Sequence, residues 1–357
     1  MNIIPQTFTI NSLLSPPTEQ LNIPSYQRRY AWKDPQVYAL FEDIDMLQDN
    51  DGHLFGMLIL HTGMHQAGIN QIDVVDGQQR LTTLSILLNV LKLKFEELEN
   101  MYHVQQIENL LKCGTDEKNR ENKLILGELD NADYENILKG ELNLVKNENL
   151  YNAHDSFTTL INESIEHHGI EWIKIFYNKL VLTAKIIRLD VQQAKDAYKL
   201  FETINNRGLR LSATDVLKNF ILGHAAKIGS VKLEEVKSLW SQLIVNLDGI
   251  STDDFFRQYI TSILTRKITK SKLIEEFKND YFKNVKEVDK LGEYTYNKDY
   301  YDDLEDDDEE EDDEDNTQNI EDLMQSCLKE VFEEKPKSRA EQDLENIRGM
   351  LVGADKQ

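Results

Sequence analysis

Five consecutive residues, Asp76, Gly77, Gln78, Gln79 and Arg80, bring a carboxylate, a glycine, two amides and a guanidinium to a point where a strand runs into a helix. Ile72, Val74 and Val75 read as the end of the strand. Leu81, Leu84, Leu87, Leu88, Leu91 and Phe95 recur at steps of three and four, the spacing of one buried helix face. Asp76-Gly77 is therefore the turn. A helix start carries unpaired backbone N–H groups and the positive end of the helix dipole, which together attract an anion. Arg80 adds a planar, permanently charged fork suited to phosphate oxygens, and Thr82 and Thr83 add hydroxyl donors. Phosphate binding is the chemistry these residue types point to. Asp76 has two readings: it holds a metal ion or a water against the phosphate, or its side chain simply caps the helix. No G-x-x-x-x-G-K-[ST] or G-x-G-x-x-G run occurs in the chain, so neither a P-loop nor a dinucleotide fingerprint supports the idea.

The elements that must position this turn form an α+β pattern. Residues 1–97 read as a mixed α/β core. Pro16, Pro17 and Pro24 punctuate its start, and a helix begins with Asp34 as cap and Pro35 as first helical residue, burying Val37, Leu40, Phe41, Ile44 and Leu47. A strand follows around Leu54 to Leu60. Residues 98–300 read as mainly helical, with amphipathic segments at Tyr151 to Ile165 and Ile170 to Leu180, a strand at Leu180 to Leu189, and helices at Val231 to Leu247, Asp253 to Thr265 and Lys270 to Val285. Within that region a helix through Ala197, Leu200, Phe201 and Ile204 is expected to stop at Asn205-Asn206-Arg207-Gly208, and Ser212 to Asp215 forms a capping box for the next. Asn205, Arg207, Arg210, Asp215, Lys218 and Asn219 exceed what capping needs. They either line a cleft or serve solubility.

Composition excludes several classes. With 357 residues, 40% hydrophobic and 29% charged, the chain is globular and large enough for two or three packed units. No run of about 18 apolar residues and no signal-like start is present, so the expectation is a cytoplasmic protein without a membrane span. Cys113 and Cys327 lie far apart with no C-x-x-C partner, which argues against a disulfide framework and a zinc site. The net charge of −24 is concentrated in residues 302–315, DDLEDDDEEEDDED, which hold 13 carboxylates; without them the charge is −11. Residues 301–319 read as an acidic disordered linker and 320–357 as a small helical tail. The acidic block is either a solvated run, a mimic of DNA that covers a basic groove, or a docking segment for a basic partner.

Four motifs in order, IPSYQRRYAW (Ile23 to Trp32), HLFGMLIL (His53 to Leu60), VVDGQQRLTTL (Val74 to Leu84) and LFETINNRGLRLSATDVLKNFIL (Leu200 to Leu222), resemble domain of unknown function 262. This is the ParB-like N-terminal domain of GmrSD-type, modification-dependent restriction proteins, and the resemblance covers roughly residues 5–225. It implies a ParB/sulfiredoxin-like α/β core followed by helices, with binding and hydrolysis of a nucleoside triphosphate centred on Asp76 to Arg80, linked to the cutting of foreign or modified DNA in anti-phage defence. Tyr26-Gln27-Arg28 is similar to the family's YQR element, expected beside the same pocket, where a Tyr ring and an Arg plane suit base stacking or phosphate contact. Tyr26, Tyr30 and Trp32 have packing as their alternative role.

The resemblance yields specific assignments. Asp76 would hold Mg²⁺ or the attacking water, Gln78 or Gln79 would orient that water, and Gly77, Arg80, Thr82, Thr83, Tyr26, Gln27 and Arg28 would bind the nucleotide. Arg29, Asn205, Arg207, Arg210 and Lys218 are candidates for contacting DNA or supporting the site. Longer members carry a His-Asn-His nuclease with an H-x-x-P element. None of the eight His here lies in such a pattern, so a separate nuclease subunit is expected to do the cutting. Two rivals remain: a non-catalytic DNA-binding adaptor that uses Arg28, Arg29, Arg207 and Arg210 on phosphates, and direct cleavage at a carboxylate site built from Glu42, Asp43, Asp73 and Asp76.

Overall fold

The computed structural model describes residues 5–48, 54–62, 68–205, 212–247, 250–269 and 272–284. The chain divides into two compact units after Phe201. The acidic run, the expected tail, Arg207 and Arg210 lie outside the described residues, as does the side chain of Asn205. None of the described helices is long and apolar enough to cross a membrane.

The first unit is built on a mixed six-stranded sheet. Its members are β1 (Gln6–Thr9), β2 (Glu19–Asn22), β3 (Leu54–His61), β4 (Asn70–Asp76), β7 (Leu124–Ile125) and β8 (Lys185–Val191), in the spatial order β1-β8-β3-β4-β2-β7. A separate two-residue ladder joins β5 (Lys112–Cys113) to β6 (Glu121–Asn122). β8 lies antiparallel to β1 and parallel to β3; β4 is antiparallel to β3 and parallel to β2. The α/β sheet therefore does not close by residue 97. It takes a strand from residues 185–191, between two strands from the start of the chain.

Helices α1 (Ile10–Leu14), α2 (Asp34–Asp45), α3 (Gln78–Glu97), α4 (Met101–Leu111), α5 (Glu128–Lys139), α6 (Glu148–His168), α7 (Glu171–Asn178) and α8 (Ala194–Asn205) complete the unit, with α8 running past its end. The stripe Val37, Leu40, Phe41, Ile44 and Leu47 is buried as its spacing predicts. The cap of α2 falls on Lys33, one residue before Asp34, and Gln36 Oε1 accepts the Lys33 N–H at 2.9 Å. α3 buries more than one stripe. Beyond the predicted leucines, Thr82, Thr83, Ser85, Ile86, Asn89 and Val90 are buried too, so the helix is enclosed on several sides. Its buried hydroxyls find partners: Tyr30 Oη lies 2.7 Å from Thr83 Oγ1, and Tyr134 Oη lies 2.5 Å from Ser85 Oγ.

Leu180 to Leu189 was expected to be one strand. Its first part, Lys179–Thr183, is instead a π-turn, closed by Ala184 N–H on Lys179 O at 2.9 Å, and β8 starts at Lys185. The second unit contains α9 (Ala213–Ile228), α10 (Ser230–Asn246), α11 (Thr252–Leu264) and α12 (Leu273–Asn284). Its core is aromatic, with Trp240 stacked on Phe256 at 5.5 Å and Phe256 edge-on to Phe277 at 6.2 Å.

Candidate functional site

The turn between β4 and α3 requires glycine twice over. Gly77 caps α3 with φ +94°, a left-handed conformation that other residues enter only with strain. A Cβ there would also lie 2.3 Å from Leu58 Cδ2. Asp76 closes β4 and is not the cap, and Leu81 N–H makes the first helical bond, to Gly77 O at 3.0 Å. This leaves the N–H groups of α3's first turn at the end of the sheet, next to the Asp76 carboxylate.

Arg80 folds back onto β3. Its guanidinium lies flat against Gly56, where a Cβ would sit 3.0 Å from Arg80 Cζ, and Gly56 has φ +94°. The glycine of HLFGMLIL is thus the platform for the arginine of DGQQR, a pairing of two motifs that neither announces alone. Arg80 Nη1 donates to Met57 O at 3.3 Å, and among the described residues this is its hydrogen bond. A guanidinium has five N–H donors, so most remain for a ligand. Burial pulls the Arg80 pKa below its usual value while the charge of Asp76 pushes it back up; an arginine so placed keeps its proton and gains from a nearby anion.

The two glutamines of the motif divide their tasks. Gln79 is 8% exposed; its Oε1 accepts Ala31 N–H at 2.7 Å and its Nε2 donates to Arg29 O at 3.1 Å, so the amide holds the loop after β2. Gln78 Oε1 is buried and, among the described residues, has no hydrogen-bond partner. An acceptor left this way favours a donor from water or a ligand.

The remaining expected residues fall into separate groups. Thr82 and Thr83 are not brought to the turn: they are 2% and 0% exposed, and their hydroxyls donate to Gln78 O and Gln79 O at 2.9 and 2.8 Å. Gln27 is buried and donates to Val74 O and Val75 O at 3.2 and 3.0 Å, which ties its loop to the strand just before Asp76. Tyr26 is 3% exposed, with Tyr198 Oη donating to its hydroxyl at 3.2 Å. Arg28, between them and the next anchor, is exposed.

Two cations proposed for DNA are committed elsewhere. Arg29 Nε donates to Asp130 Oδ1 at 2.9 Å. Lys218, 2% exposed, pairs with Asp215 Oδ1 at 3.2 Å; of the expected capping box the first half is made, Ser212 Oγ accepting Asp215 N–H at 3.1 Å, while it is the Ser212 hydroxyl that donates to Asp215 Oδ2 at 2.9 Å. Among the described residues no group of three His, Cys, Asp or Glu could hold a metal ion, so Glu42, Asp43, Asp73 and Asp76 form no carboxylate cluster. Sequence spacing gave no hint of Asp130 or Asn147, which hold the loop from 100 or more residues away.

A comparison with curated proteins gives no match. The N-terminal domain of the GmrSD restriction endonuclease matches residues 10–222, more than half of the chain, a span that takes in the whole sheet except β1 together with the Asp76–Arg80 turn. The chain belongs to the family of GmrSD restriction endonuclease N-terminal domains.

Proposed function

We propose that the chain is a nucleoside-triphosphate-binding and hydrolysing sensor subunit of a DNA restriction system, with the triphosphate held at the start of α3. The observation that carries this reading is Arg80: a half-buried guanidinium, flat on Gly56, bonded to Met57 O and beside Asp76 at a helix N-terminus. The first-turn N–H groups and Arg80 hold phosphate oxygens, and Arg28 joins them from the adjoining loop. Gln78 offers its carbonyl oxygen to the attacking water, while Gln79, Gln27 and Tyr26 shape the wall. The same reading takes the α/β core to be ParB-like.

Mg²⁺ fits this donor set as an ion that arrives with the nucleotide. Such ions keep several waters and rely on one or two carboxylates plus substrate phosphates, and Asp76 supplies one carboxylate. When bound, it would neutralise charge on the transferred phosphoryl group. Cutting of DNA is assigned to a partner nuclease subunit, since no His of the chain lies in an H-x-x-P element. Of the arginines the adaptor reading relies on, Arg29 already has a carboxylate partner in Asp130.

Phosphate release from each of the four ribonucleoside triphosphates with Mg²⁺, with and without modified DNA, tests the proposal. Asp76→Ala and Arg80→Ala are expected to abolish turnover, and Arg80→Ala to weaken nucleotide binding by roughly ten- to hundredfold, the loss of one charge-assisted contact of about 1.5–3 kcal/mol. Near-native nucleotide affinity in a folded Arg80→Ala protein removes Arg80 from the site. No turnover and no binding in the wild type leaves the adaptor.

A further inference from the structure

The segment from Ser25 to Lys33 has neither helix nor strand, so its backbone groups need partners of another kind. Side chains supply them from two directions. From the start of α3, Gln79 holds Ala31 N–H and Arg29 O. From the opposite direction, Asp130 on α5 accepts Tyr30 N–H at 2.6 Å and Arg29 Nε at 2.9 Å. Asn147, the cap of α6, donates to Asp130 Oδ1 at 2.9 Å and to Tyr30 O at 3.5 Å, and is itself fixed by Asp133, whose Oδ2 accepts Asn147 N–H at 2.8 Å. Asp130, Asp133 and Asn147 are 5%, 6% and 8% exposed.

A carboxylate buried to this degree is expensive to desolvate and is weak evidence for stability. What its three converging donors do secure is a single loop conformation. Arg28 stands between Gln27, tied to Val74 and Val75 just before Asp76, and Arg29, tied to Asp130. We propose that Asp130 and Asn147 are positioning residues of the phosphate site: through Arg29 and Tyr30 they hold the loop so that Arg28 is presented to the ligand bound at Asp76–Arg80. This inference rests on the phosphate-site reading above and adds to it two residues outside every motif of the sequence.

The test uses the full chain with Mg²⁺ and fluorescent N-methylanthraniloyl derivatives of GTP and ATP, in a double-mutant cycle of Asp130→Asn with Arg28→Ala. Asp130→Asn preserves size but turns an N–H₂ toward one of its donors; it is expected to weaken probe binding about tenfold. KM for the hydrolysed nucleotide should rise by a similar factor with kcat within about twofold, as for lost uniform binding. The double variant should bind no more weakly than Arg28→Ala alone, because both changes remove the same contact. Arg29→Lys, at a half-buried side chain, repeats the test if Asp130→Asn folds poorly. Wild-type affinity in the folded single variants, or losses that simply add, overturns this inference alone. Failure of the wild type to bind either probe overturns the phosphate-site reading along with it.

Discussion

Both α3 and α9 begin among charged and amide side chains, yet their polar groups are disposed in opposite ways. At α9, the Ser212 hydroxyl accepts Asp215 N–H and donates to the Asp215 carboxylate, Lys218 and Asn219 bind Asp215, and Asp253 Oδ1 accepts both Thr214 N–H, at 2.8 Å, and the Thr214 hydroxyl. At α3 the cap is a bare glycine, Arg80 uses a minority of its donors, and Gln78 Oε1 has no partner among the described residues. Polar density is common to both starts. Hydrogen-bonding capacity that the protein leaves unfilled is found at α3, and it is the better indicator of a ligand.

The sharpest way to break this comparison is Asp215→Ala. It removes the carboxylate paired with the buried Lys218 ammonium and is expected to destabilise the protein by about 3–5 kcal/mol while nucleotide affinity in the folded fraction stays unchanged. Urea denaturation alongside nucleotide titration measures both; a selective loss of affinity would make α9 a binding element after all. Next in size is Gly77→Ala, where left-handed strain and the close approach to Leu58 should together cost about 2–4 kcal/mol. Binding should fall with it, since the first turn of α3 must shift.

Acid provides a milder probe. Burial, with Lys227 and Lys278 adding, pushes the His224 pKa down to about 3, whereas an unfolded His titrates near 6.5. Between these values the unfolded chain takes up a proton that the folded chain refuses. Stability is therefore complete above about pH 6.5 and declines toward pH 3, by up to about 1.4 kcal/mol per pH unit from this group. His224→Leu should flatten that slope in urea titrations at pH 7 and pH 5, and an unchanged slope would assign it to other groups. The smallest structural effect belongs to Gln78→Leu. With no Oε1 bond to lose among the described residues, stability should stay within about 0.5 kcal/mol, while turnover falls about a hundredfold as the water loses its acceptor. A large stability loss instead would show that Gln78 is structural, like Gln79.

Much of this arrangement could be read from periodicity and turn chemistry. The run Leu81 to Phe95, the stripe of α2 and the Ser212 cap are local patterns, and local patterns survive in sequence. The strand-turn-helix at Asp76–Arg80 was legible for the same reason. β1 and β2 were not, because each is four residues long with no clear alternation, and their pairing is set by distant strands. The burial of Thr82, Thr83 and Gln79 was not legible because donor chemistry does not reveal which face of a helix is enclosed, and α3 is enclosed on several. Asp130 and Asn147 escaped notice because nothing in their neighbourhood points to a loop so far away in sequence.

The place of β8 in the sheet has a bearing on how the protein is made. β3 and β1 each pair with it, so the first and third strands have no mutual contact in the ladder until residues 185–191 arrive. At roughly 5–20 residues per second, the stretch between the end of β3 and the end of β8 takes on the order of six to twenty-six seconds to make. During that interval β3, with Leu58, Ile59 and Leu60 wholly buried in the finished protein, has an open edge of the kind that recruits other chains. A chain cut short before residue 185 would therefore be an aggregation-prone fragment.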